Sequence, residues 1–111
     1  MKSLTTLLST IFLTTSTKSN SMDDLASIQR DLLILVAEEP KVDVEIKSDI
    51  EDYYESDIAD GRLFPNLDVL VEKGYITKYD SDRVPRTNEY QITEKGKEVI
   101  AKHRQWRLSY L

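Results

Sequence analysis

From residue 23 onward the apolar positions fall into segments of changing period. Leu25, Ile28, Leu32, Leu35 and Val36 recur at three- and four-residue spacing, which lines one face of a helix. The spacing predicts a first helix over about Asp24 to Glu38, with Asp23-Asp24 as its N-cap pair and Pro40 as its stop. A second helix is predicted from Val44 to Tyr54, capped by Asp43 and burying Val44, Ile46, Ile50 and Tyr53. Its outer face carries Glu45, Asp49, Glu51, Asp52 and Glu55. A solvated face explains that cluster better than a metal site, because no loop gathers the oxygens.

A third helix is predicted from Asp60 to about Lys73. Leu63, Leu67, Leu70 and Val71 form its buried stripe, Pro65 falls in the tolerant first turns, and Gly74 supplies a left-handed stop. The period then changes to that of strands. Tyr75 to Asp80 and Asn88 to Ile92 are rich in Tyr, Ile and Thr and flank a polar tip, Ser81 to Thr87. Thr93 opens a last helix, about Glu94 to Tyr110, on which Val99, His103, Trp106 and Tyr110 repeat at spacings of four, three and four. That is a heptad-like seam suited to a dimer interface. Packing of the same seam on the chain's own first helix is the alternative. His103 is the only histidine and reads as a packed side chain.

Three helices followed by a two-stranded hairpin is the order of a winged helix-turn-helix, an α+β but mainly α fold. The third helix would lie in the major groove of double-stranded DNA. Its outward residues are Asp60, Arg62, Asn66 and Val69. Arg62 suits guanine edges and Asn66 adenine. Arg83 and Arg86 at the wing tip, with Thr87 beside them, suit a minor groove or flanking phosphates. Lys73 and Lys78 are further phosphate candidates. The organisation expected is a winged-helix domain over residues 22–92 and a dimerisation helix over 93–111.

Charge sharpens this reading. The 111 residues carry a net charge of −5, which opposes binding to phosphates. The charge is unevenly spread. Asp23 to Gly61 holds thirteen acids and three bases; Arg62 to Leu111 holds seven acids and ten bases. Positive charge therefore begins at the predicted reading helix. There is no cysteine, so disulfides, thiolate catalysis and the common zinc frameworks are excluded. No phosphate loop, dinucleotide turn or nucleophile–base pair is present, so an enzyme is not expected, nor a cofactor. The first twenty-one residues are rich in Ser and Thr, lack acids and carry a short apolar run, Leu7 to Leu13. That run is too short and polar to span a bilayer. A disordered tail or an upstream start is expected there, with a secretory signal as the alternative.

At Gly61 to Gly74, with Phe64-Pro65-Asn66-Leu67 at its centre, the chain resembles the recognition helix of PadR-like transcriptional regulators. Ile28 to Leu33 and the strand Arg86-Thr87-Asn88-Glu89-Tyr90-Gln91-Ile92-Thr93 are similar to the archaeal branch of that family. The resemblance covers about Asp24 to Tyr110. It implies a cytoplasmic, dimeric, sequence-specific repressor with its C-terminal helix at the dimer interface. Phe64 replaces the family's usual Tyr, and Asp60 stands where the archaeal branch often has His. Larger members bind small molecules among several C-terminal helices. Here a single helix follows the wing, so an effector site is left open. A winged helix used for protein interaction without DNA binding is the alternative function.

Overall fold

The computed structural model describes residues 21–111; the expectations for the N-terminal tail lie almost wholly outside them. Four helices and three short strands follow one another: α1 (Ser27–Glu38), β1 (Lys41–Val42), α2 (Asp43–Tyr54), α3 (Asp60–Glu72), β2 (Ile76–Asp80), β3 (Asn88–Ile92) and α4 (Glu94–Leu108). A 3-10 turn, Met22–Asp24, precedes them.

That turn corrects the predicted start of the first helix. Ser21 Oγ accepts from the Asp23 amide, and Met22 and Leu25 both turn into the core. The chain then straightens, and α1 begins only at Ser27, where the Gln29 side chain accepts from the Ala26 amide at 3.0 Å. α1 buries Ile28, Leu32, Leu33 and Val36, with Leu35 half-buried.

α2 buries Ile46 and Ile50, but Val44 and Tyr53, predicted inside, are 71% and 70% exposed. Val44 falls on the side of α2 opposite Ile46, whereas Tyr53 lies at the edge of the Ile46–Ile50 face, in the last turn, and stays exposed there. Tyr54 takes the place assigned to Tyr53, and its hydroxyl donates to Asp31 at 2.5 Å.

The sheet has three strands, not two, in the order β1-β3-β2. Lys41 pairs with Tyr90 and Val42 with Glu89, while Ile76–Asp80 runs antiparallel to Asn88–Ile92. Two residues are too few to show an alternating pattern, so β1 is silent in the sequence. Its Lys41 is buried among Glu38, Glu39 and Asp49, the last at 3.1 Å.

α3 ends as Gly74 predicts. With φ at +79°, Gly74 lets the Tyr75 amide reach the Leu70 carbonyl while its own amide bonds to Val71, a Schellman closure. α4 is pinned to that closure. Thr93 Oγ1 donates to the Gly74 carbonyl at 2.7 Å and accepts from the Gly96 amide at 3.0 Å. A Cβ on Gly96 would lie 2.3 Å from the Tyr75 carbonyl oxygen, so only glycine fits. The core gathers α1, Ile46 and Ile50 of α2, Leu63, Leu67 and Leu70 of α3, Tyr75, Ile76, Tyr90 and Val99. The assembly is a winged helix-turn-helix, mainly helical, with α2 and α3 as its helix pair and β2–β3 as its wing.

Candidate nucleic-acid interface

α3 is amphipathic, so burying Leu63, Leu67 and Leu70 turns Arg62 and Asp68 outward. Arg62 lies in the first turn and is exposed. Its guanidinium stands 6.0 Å from the centre of the Tyr54 ring, a distance at which a cation and a ring face attract. Burial, then the hydrogen bond to Asp31, pushes the Tyr54 hydroxyl up to about 12, so that ring stays neutral under Arg62. Asp60, the acid at the head of the helix, is paired. Its carboxylate lies 2.7 Å from Lys47 Nζ of α2, which offsets the negative charge.

Asn66, predicted to suit adenine, engages its amide within the fold. Its Oδ1 accepts from Gln29 Nε2 at 2.8 Å and its Nδ2 donates to the Arg62 carbonyl at 2.6 Å. The amide joins α1 to α3 and holds the turn that carries Arg62. Lys73, at the far end of α3, is half-buried, and its carbonyl accepts from Lys95 Nζ at 2.9 Å. Lys78 is exposed on β2.

The hairpin loop separates its two arginines. Arg83 is bound twice, by Nη2 to Glu45 of α2 at 2.9 Å and by Nε to Glu89 of β3 at 3.3 Å. Glu89 is buried, and it also accepts from the Tyr79 and Ser81 hydroxyls, each at 2.8 Å. The Ser81 and Tyr79 hydroxyls, with Arg83, hold the Glu89 carboxyl below its ordinary range. Arg83 and the Val42 amide do the same for Glu45. Arg86 is exposed in a left-handed conformation, φ +59°, with no ion pair among the described residues. Thr87 beside it is half-buried and donates to the Pro85 carbonyl at 3.1 Å.

The fold thus pairs Asp60 of α3 with Lys47 of α2, and the wing's Arg83 with Glu45 of α2, and leaves Lys73 at the other end of α3 from Arg62. Sequence reasoning missed Gln29, Glu45, Lys47 and Glu89. Glu45 had one visible signal, since it stands three residues after Val42, the spacing of a glutamate that closes back on a helix start.

The C-terminal seam divides. Val99 is buried in the chain's own core, 4% exposed, which withdraws it from any partner surface. His103 is half-buried and stacks on Trp106 at 6.0 Å, and Trp106 meets Tyr110 at 5.2 Å. Trp106, Leu108, Tyr110 and Leu111 are exposed. Trp106, His103 and Val99 also line a groove against Ser21, Met22 and Asp23. Among the described residues no acidic or histidine cluster could hold a metal ion, and no helix is long and apolar enough to cross a membrane.

Comparison with known proteins bears on the same surface. A comparison with curated proteins returned no match. Among solved structures, the hsRosR-S1 complex structure is similar, with a TM-score of 0.74 and 39% identity over 79% of this chain and 77% of that one. H. salinarum RosR gives a TM-score of 0.71 at 39% identity, over 78% and 77%. A PadR-like transcription factor from Bacteroides fragilis shares the fold, with a TM-score of 0.60 and 19% identity over 75% of this chain and 82% of that one. The model of the transcriptional regulator PadR-like family matches residues 32–102. The chain belongs to the PadR-like family of transcriptional regulators, in its archaeal branch, a family of regulators rather than of enzymes.

Proposed function

We propose that this chain is a sequence-specific DNA-binding regulator that works as a homodimeric repressor. The observation that carries the reading is Arg62, exposed at the head of a helix whose opposite face is sealed into the core, with the neighbouring acid Asp60 already neutralised by Lys47. In this reading α3 enters the major groove and Arg62 binds a guanine edge through two hydrogen bonds. Arg86 and Lys78 meet phosphates beside it, with Thr87 shaping the wing. Lys73, at the far end of α3, adds to the field more than to a contact. Trp106 and Tyr110 on α4 form the dimer seam, with His103 beneath them.

Selection of bound sites from random duplexes tests sequence-specific binding and two-fold symmetry together. A two-fold symmetric motif with a guanine under each Arg62 is expected. Recovery of no motif, at low as well as at moderate salt, refutes the reading. The protein-interaction alternative is favoured by one feature: Val44 and Tyr53 stand exposed on α2, with acids at Glu45 and Asp52 on the same helix and Glu55 just past its end. Under that reading a protein partner is captured through α2 and duplexes are not bound. A reporter assay with the selected site distinguishes repression from activation.

A further inference from the structure

We infer that Arg83 is a positioning residue of the wing rather than one of its DNA ligands. It ties the hairpin loop to the first turn of α2 through Glu45 and Glu89, leaving Arg86 to meet the DNA. The inference rests on the DNA-binding reading above.

Three observations carry it. First, the guanidinium is committed on two edges to two elements, Nη2 to Glu45 at 2.9 Å and Nε to Glu89 at 3.3 Å. A planar fork between two fixed carboxylates is the geometry in which arginine holds direction best.

Second, neither carboxylate is free to follow Arg83 elsewhere. Glu45 Oε1 also accepts from the Val42 amide at 2.9 Å, which fixes it at the start of α2. Glu89 is buried in β3 and is held from its other oxygen by Tyr79. The loop backbone converges on the same point, because Ser81 Oγ donates to Glu89 and accepts from the Arg83 and Val84 amides at 3.1 Å each. Releasing Arg83 to a phosphate would strip a charge-assisted donor from a buried carboxylate, a costly exchange.

Third, β3 is already held at the start of α2 independently, through the pairing of Glu89 with Val42 of β1, which leads directly into α2, and the Tyr90 hydroxyl on Asp43. What Arg83 adds is the loop, and Arg86 is the cation on that loop with no ion pair among the described residues.

The two roles separate in salt dependence. A phosphate contact adds about 0.9 to the slope of log K against log salt concentration, whereas positioning alters K without changing the number of ions released. The probes are a duplex recovered by the selection above and a random-sequence duplex. Arg86→Met is expected to lower the slope by about 0.9. Arg83→Met is expected to weaken binding severalfold at unchanged slope. Glu45→Gln keeps the oxygen that accepts from Val42. It is expected to weaken binding as well, and to add little in the Arg83→Met background, because both act through one bridge.

A slope reduced by about 0.9 in Arg83→Met overturns the inference. So does tighter binding by Glu45→Gln that vanishes without Arg83, since that marks Arg83 as a phosphate ligand restrained by Glu45. Unchanged affinity in Arg83→Met overturns it too. If Arg83→Met fails to fold, Arg83→Gln makes the same comparison, because it too removes the charge and the bridge between the carboxylates. Failure of the unmodified chain to bind either duplex at low salt refutes the DNA-binding reading instead. The clamp is then still read from hydrogen exchange of the hairpin amides, which Arg83→Lys should accelerate.

Discussion

Single residues carry two sharply different kinds of consequence in this chain. Arg62 is exposed, and its known contacts are a ring face and its own helix, so the fold does not depend on it. Arg62→Ala should leave thermal unfolding almost unchanged. It should relax base preference at one position in each half-site, at a cost of about 1–3 kcal/mol there. Competition between duplexes differing at that base pair checks this; an unchanged preference removes Arg62 from the reading surface. Gly96 is the opposite case. It touches no predicted DNA surface, yet a methyl group there would press on the Tyr75 carbonyl at 2.3 Å and the Ile92 side chain at 2.8 Å. Gly96→Ala should destabilise the fold by about 1–3 kcal/mol, the usual cost of overpacking, and shift the start of α4. Chemical denaturation measures the first effect. The gain in helix propensity from alanine, about 1 kcal/mol, is too small to reverse the sign.

At the scale of elements, most of the fold was legible and the wiring between elements was not. Helix periods, the Gly74 stop and the Thr93 cap all depend on residues close in the chain, and each is found where the pattern put it. The 3-10 start, β1 and the exposure of Tyr53 depend on tertiary neighbours, or on segments too short to show a period, whereas Val44 lies off the buried stripe by the helix period itself. The candidate site shows the same division. Arg62 was visible because a lone cation opens a leucine-striped helix. The bonds that occupy Asn66 and Arg83 were not, because Gln29 and Glu45 come from elements far away in sequence. Those bonds make the wing sensitive to acid. Glu89 and Glu45 titrate below their ordinary range in the folded chain, so the unfolded chain binds protons more readily. Their contribution is therefore full above the unfolded value, about 4.3, and is lost as pH falls through the lower folded values. Hairpin amide exchange, corrected for intrinsic rates, should rise relative to α1 over that window. Glu89→Gln should flatten the pH dependence. A hairpin whose protection tracks α1 throughout would show that the carboxylates do not hold it.

The whole molecule joins an acidic half to a basic one, and α4 projects from the second. The acids are concentrated in α2 and the segments flanking it, and Lys47 offsets the one that heads α3. Net charge therefore says little about DNA affinity here; the sign of the surface around Arg62 and Arg86 says more. The far end of α4 carries exposed aromatic surface. Val99 belongs to the core, but Trp106 is 59% exposed and Tyr110 75%. Aromatic surface of this kind, stacked along one helix, is well suited to an interface with a second copy. Trp106 is the chain's only tryptophan, so its emission reports on that seam without interference from another tryptophan. Dilution should shift the emission to the red as the ring returns to water, in step with a fall in mass measured by sedimentation. Trp106→Glu should give a monomer at all concentrations with α1 to α3 intact, because the side chain lies outside the core. It should also weaken binding to a two-fold symmetric site far more than to a half-site, since only the dimer engages both halves at once. A chain that stays dimeric after Trp106→Glu would place the dimer interface elsewhere.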